Sequence, residues 1–203
     1  MTTIEVFADV LCPFTHVGLR RLVELRTELD RPDVKLHVRA WPLEIVNGEP
    51  LDPDFIDEEV DDIRDQVAPD LFKGFTRSAF PATSLPAMSL VAAAYGRDLD
   101  TGERVSLALR DLLFEQGVDV SDLDVLQGLA ADHGVSFDPT DTSAVLAEHA
   151  DGVARGVIGS PHFFTPAGGF FCPALDVHRD ADGHLHIEAD AAGFEQFTAS
   201  CFA

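Results

Sequence analysis

The chain has 203 residues, 46% of them hydrophobic, and 36 acidic residues against 14 basic ones give it a formal net charge of -22. That size supports one sizeable core, or a small domain with another inserted into it. The charge excludes DNA, RNA and anionic membranes as natural partners, because binding them needs clustered Lys and Arg. The longest apolar runs, such as Leu85–Ala94, are too short and too punctuated to cross a bilayer, and the N-terminus has no basic stretch leading into an apolar one, so the expectation is a soluble, cytoplasmic protein.

Thr3–Ala8 ("TIEVFA") alternates and is rich in β-branched and aromatic residues, which predicts a strand. After Pro13, apolar Val17, Leu19, Leu22, Val23, Leu25 and Leu29 recur among Arg20, Arg21, Glu24, Arg26 and Glu28, which predicts a helix of about four turns. Val34–Ala40 ("VKLHVRA") alternates again. Strand, helix and strand this close in sequence imply a right-handed crossover and a parallel pair.

From Asp54 to about Arg155 the periodicity is helical: Phe55–Val67, Leu85–Tyr95, Gly102–Gln116, Leu123–His133 and Thr142–Ala154, with Ser84, Thr101, Ser121 and Asp141 as cap candidates. Strand signals return at His162–Thr165 and Gly169–Cys172, joined by "PAGG" as a tight hairpin. A polar, exposed hairpin at Val177–Ile187, turning at "DADGH", leads to a last helix at Ala189–Cys201. The expected architecture is α/β: a thioredoxin-like fold, βαβ…ββα around a four-stranded mixed sheet, with an all-helical insertion. The implied division is 1–53 and 156–203 as the two halves of the thioredoxin-like domain, and 54–155 as the insertion.

Three cysteines, Cys12, Cys172 and Cys201, form no Cys-x-x-Cys and no secreted disulfide framework. Eight histidines include no zinc-binding spacing, and His184 with His186 falls in the polar hairpin, so no metal is expected.

Two stretches carry a family resemblance. "FADVLCPFTHVGLRRL" (7–22) resembles the active-site strand and helix of the DsbA family, especially its cytoplasmic FrnE-like branch, whose pattern is roughly Asp-x-x-Cys-Pro-Trp-Cys-x-x-Gly. "GVIGSPHFF" (156–164) resembles that family's cis-proline loop. The two flank the helical insertion in the right order, so the resemblance covers nearly the whole chain. Kappa-class glutathione transferases and 2-hydroxychromene-2-carboxylate isomerases share the layout, with serine where Cys12 stands. Thr15 occupies the place of the second cysteine, and "FFCPALD" (170–176) replaces the kappa-type ending that helps to hold glutathione.

The resemblance implies a thiol-disulfide oxidoreductase-like protein working through one sulfur. The alternatives are a transferase or isomerase relative, or a redox-inactive binding module. Cys12, at a helix N-terminus where the dipole favours a thiolate, is the expected nucleophile. Thr15, one turn along, offers a hydroxyl to the sulfur. Pro161, expected cis, would leave the Ser160 backbone free to pair with a partner. Pro13, Phe14, Trp41, Ser160 and His162 are the expected substrate contacts, and Trp41, Pro42 and Leu43 with Phe14, Phe80 and Phe163 would form an apolar wall. Cys172 should end one strand beyond the cis-proline strand, its sulfur roughly 10 Å from that of Cys12, as a candidate resolving thiol; Cys201 is expected to be inert. Release of a mixed disulfide would need a low-molecular-weight thiol as co-substrate, with no tightly bound cofactor. Partners would be that thiol or a protein disulfide, and a homodimer is left open.

Overall fold

A computed structural model describes residues 2–180 and 185–203. β1 (Thr2–Ala8) leads into α1 (Pro13–Glu28) and β2 (Val34–Ala40), which pairs in parallel with β1, Thr2 opposite Val34 through Ala8 opposite Ala40. Then come α2 (Leu43–Asn47), α3 (Pro53–Gln66), a 3-10 turn at Arg77–Ala79, α4 (Leu85–Arg97), α5 (Leu99–Gln116), α6 (Leu123–Asp132) and α7 (Ser143–Ala154). β3 (His162–Thr165) and β4 (Gly168–Phe171) complete a mixed sheet in the order β2-β1-β3-β4. The hairpin β5 (Leu175–Arg179) and β6 (Leu185–Ala189) forms a separate two-stranded sheet, and α8 (Ala191–Cys201) ends the chain. The fold is thioredoxin-like, as the element order implies.

β2 alternates buried and half-buried residues along its length, so one face belongs to the core. That core joins Ile4, Val6, Leu36 and Val38 of the sheet to Leu19 and Leu22 of α1 and to Phe163, Phe197 and Cys201. A second cluster runs through the helices, from Val60 and Ile63 to Leu109, Leu113 and Phe114.

β2 lies at the sheet's edge, where unpaired N–H groups invite pairing with another chain. The helices remove that hazard. The outward N–H groups of alternate residues each find a helix side chain: Leu36 donates to Glu103 of α5 at 2.8 Å, Val38 to the Tyr95 hydroxyl of α4 at 2.9 Å and Ala40 to Glu148 of α7 at 2.7 Å. Tyr95 donates back to the Leu36 carbonyl at 3.0 Å, and Arg26 of α1 clamps Glu103 through both guanidinium nitrogens. The helical segment therefore docks on the sheet by satisfying its edge.

Several local expectations are corrected. α2 carries no helical period long enough to read in sequence. Asp98 rather than Thr101 caps α5, and Asp122 rather than Ser121 caps α6, because each carboxylate accepts from a free first-turn amide, Thr101 in α5 and Asp124 in α6. Ser84 stands at the N-cap of α4, but its hydroxyl turns to Asp9. Asp141 accepts from the Ser143 amide at 2.9 Å, although Thr142 holds the N-cap. The second hairpin is not wholly exposed: Leu175, Leu185 and Ile187 are buried, and Gln66 of α3 binds the Leu185 carbonyl and the Ile187 amide. Its turn, from Ala181 to His184, lies outside the described residues.

Candidate active site

β1 ends in a buried turn that delivers Cys12 to the N-cap of α1, with extended backbone (φ -81°, ψ 116°). Pro13 follows at the first helical position, where its missing N–H costs nothing and its fixed φ fits the helix. The Cys12 side chain is 3% exposed, and its thiol donates to the Ser160 carbonyl at 3.2 Å. The Ser160–Pro161 bond is cis. Gly18 lets α1 approach this loop: a Cβ there would lie 3.6 Å from Phe163 and 3.9 Å from Pro161.

Thr15 Oγ1 lies 2.9 Å from Ser160 Oγ, and the Asp9 amide donates to the same Ser160 oxygen at 2.9 Å. The Ser160 backbone, expected to be free to pair with a partner, is taken at its carbonyl by the Cys12 thiol. Burial pushes the Cys12 thiol up, contrary to the lowering expected from the helix N-terminus, and hydrogen bonds with Ser160 and Thr15 oppose that push without overcoming it. A carboxylate, Glu59 of α3, adds to it; burial raises Glu59 itself to about 7, with Arg179 at 3.5 Å acting the other way.

Asp9 is the main residue that the sequence reading passes over. It is 1% exposed, and its carboxylate accepts from the Leu11 amide at 2.9 Å, the Leu43 amide at 2.7 Å and the Ser84 hydroxyl at 3.2 Å. Its carbonyl accepts from buried Arg110 at 3.1 Å. One side chain thereby ties the active-site turn to the starts of α2 and α4. Burial lifts its carboxyl to about 6, against the pull of those donors and of Arg110. The only sequence signal was its place three residues before Cys12; Glu59, on an acidic helix, offered none.

His16, directly after Thr15, is buried and bonds Glu115 of α5 at 2.7 Å. Glu115 also accepts from the Phe72 and Lys73 amides, so this pair fastens α1 to the helical segment.

A cleft of about 430 Å³ opens beside the cis-proline loop, lined by Phe14, Ser160, Phe171, Cys172, Pro173 and Leu175, with Val177, Asp176 and Asp190. Phe14 and Ser160, two of the expected substrate contacts, line this cleft. The expected apolar wall does not assemble. Phe163 packs against Phe197 in the sheet core, Phe80 stacks edge-on with Phe75 among the helices, and Trp41 packs with Phe7 and against His149. Each found a larger apolar area to bury away from the cleft. His162 does not line the cleft either: its ring stacks on Phe164 at 4.8 Å and meets the edge of Phe171, its Nδ1 accepts from the Ile158 amide at 3.3 Å, and burial lowers its pKa.

Cys172 lies just past the end of β4, at φ 42°, and its amide donates to the Pro161 carbonyl at 3.0 Å. The two cysteines therefore contact consecutive carbonyls of the cis-proline loop. Burial, with a further contribution from Cys12, pushes the Cys172 thiol up to about 12. Cys201 is buried in the sheet core. Among the described residues, no group of His, Cys, Asp and Glu could hold a metal ion, and no helix is long and apolar enough to cross a membrane.

The model of the DSBA-like thioredoxin domain matches residues 3–182. Among solved structures, the chain is similar to the cytosolic disulfide reductase DsbM from Pseudomonas aeruginosa, at TM-score 0.63 and 16% identity over 98% of this chain and 95% of that one. DsbM has also been solved with GSH, at TM-score 0.62 and 15% identity over 98% and 95%. A 2-hydroxychromene-2-carboxylate isomerase aligns at TM-score 0.55 and 14% identity over 83% of this chain and 88% of that one. At these identities the likeness is one of fold. No curated protein sequence matches the chain.

Proposed function

Because the chain belongs to the DSBA-like thioredoxin domain family, we propose that it exchanges thiols and disulfides through one sulfur, Cys12, with the Ser160–Pro161 loop presenting the partner. The observation that carries this reading is the convergence of Cys12, Thr15 and Ser160. An amide can only donate, so Ser160 Oγ accepts from Asp9 and its own hydrogen is free for Thr15 Oγ1. The Thr15 hydrogen is then free for the sulfur. This ordered relay favours a thiolate that burial otherwise opposes.

In the proposed cycle, the Cys12 thiolate attacks one sulfur of a disulfide R–S–S–R′. A Cys12–S–S–R bond forms, and R′–S⁻ leaves and takes a proton from water. A second small thiol, as thiolate, then attacks the R sulfur and returns Cys12. Thr15 has no sulfur, so a low-molecular-weight thiol is the co-substrate, as a reducing cytoplasmic compartment would provide. Cys172 is in place beside the same loop, but few of its thiols are ionised at neutral pH, which favours the external thiol for the second step.

The test is mass spectrometry of the protein treated with 2-hydroxyethyl disulfide and then with a reduced thiol. One adduct on Cys12, removed by the thiol, is expected; no adduct on Cys12 at any pH up to 9 overturns the reading. A second reading, a module that binds without turnover, is favoured by the upward push on Cys12. Under it, Cys12 would resist both steps.

A further inference from the structure

Resting on the exchange reading, the composition of the cleft deepens it. Among the described residues that line it, two are charged, Asp176 of β5 and Asp190 ahead of α8, and none is Lys, Arg or His. The cations nearby are committed elsewhere. Arg179 lies 3.5 Å from Glu59 and over the Phe55 ring. Arg21, which lines the adjoining pocket with Leu175 and Asp190, bonds Asp70 through both guanidinium nitrogens and also Glu24. The remaining walls are Phe14, Phe171, Cys172, Pro173, Leu175 and Val177, with Ser160 at the end where Cys12 lies. The field of the whole chain, at -22, has the same sign.

We infer that the cleft beside Cys12 takes disulfides and thiols whose non-sulfur part is cationic or neutral and partly apolar, and discriminates against anionic ones of the glutathione type. A low-dielectric wall carrying one sign of charge concentrates ligands of the opposite sign next to the sulfur. Repulsion acts on an anionic ligand both as it approaches and as it binds. Glutathione carries two carboxylates against one ammonium, and none of the described residues lining the cleft is a cation that could pair with either carboxylate.

The experiment has two arms. In the first, Cys12 is modified by methanethiosulfonate reagents carrying a trimethylammonium, a methyl or a sulfonate group. Rates are followed by site-mapped mass spectrometry and divided by the rates with free 2-mercaptoethanol. The expected order is cationic, neutral, anionic, with about tenfold between the extremes at low salt and a smaller gap at high salt. Asp176→Lys should bring the extremes together, whereas Asp124→Asn, on the exposed surface of α6, should leave their ratio unchanged. Equal normalised rates, including no modification by any reagent, overturn the inference, as does an unchanged ratio in Asp176→Lys.

In the second arm, cystamine and glutathione disulfide compete for Cys12. Faster reaction with cystamine supports the inference, and equal or faster reaction with glutathione disulfide counts against it. Retained reagent order with no reaction towards either disulfide sinks the exchange reading alone; equal reagent rates with turnover sink the charge inference alone.

Discussion

Cys12 donates its thiol to the carbonyl oxygen of Ser160 at 3.2 Å, a contact between residues 148 positions apart. It closes the site, because Ser160 also binds Thr15 and the Asp9 amide. The state of the sulfur therefore depends on both ends of the chain.

The hydroxyl relay predicts a graded series. Thr15→Val and Ser160→Ala should each raise the Cys12 pKa and slow its alkylation at neutral pH about tenfold, whereas Thr15→Ser should keep most of the rate. The pH profile of iodoacetamide alkylation reads the shift directly. Equal profiles in Thr15→Val and Thr15→Ser would leave the hydroxyl without a role.

Asp9→Ala should destabilise the protein by about 3 kcal/mol in urea unfolding. It strands the Leu11 and Leu43 amides and the Ser84 hydroxyl, and it leaves Arg110 buried without its countercharge. Ser84→Ala removes one donor and should cost on the order of 1 kcal/mol.

Two carboxylates act on stability in opposite pH windows. Glu59 has a folded pKa of about 7 against an ordinary 4.5, so the folded state binds more protons, and stability falls as pH rises from about 4.5 to 7, on the order of 3 kcal/mol. Glu59→Gln should flatten that part of a melting-temperature profile, and also speed Cys12 alkylation by removing a neighbouring negative charge. Glu115 is held at about 2: burial pushes it up, but hydrogen bonds from His16 and from the Phe72 and Lys73 amides outweigh that. Its contribution is present above about 4.5 and lost as pH falls towards 2. Glu115→Gln should therefore cost stability at pH 7 and little near pH 2.

Cys172→Ser should leave exchange through Cys12 unchanged when a small thiol is in excess, because a thiol pushed up to about 12 competes poorly near neutral pH. A slowing of the second step by tenfold or more at saturating thiol would make Cys172 the resolving group instead.

The sequence by itself determined the order of the strands and of every α-helix but α2. Alternation at Val34–Ala40, the apolar period after Pro13 and the Pro and Gly punctuation of the middle are local, and short-range sterics and burial act on them directly. It also placed Cys12 at the start of α1 and removed a dithiol cycle with the residue one turn along, since Thr15 carries no sulfur. Only the tertiary structure decided what surrounds the sulfur. The net push on Cys12 sets a helix N-terminus, readable in the chain, against burial and Glu59, which packing supplies from elsewhere. The fates of Trp41, Phe80 and Phe163 followed the same logic: an aromatic residue buries its ring wherever apolar area is greatest, and that is a property of the assembled layers. Asp9 stands within the motif, yet its work is done by amides and hydroxyls up to 151 residues away, so no reading of neighbours along the chain could reveal it.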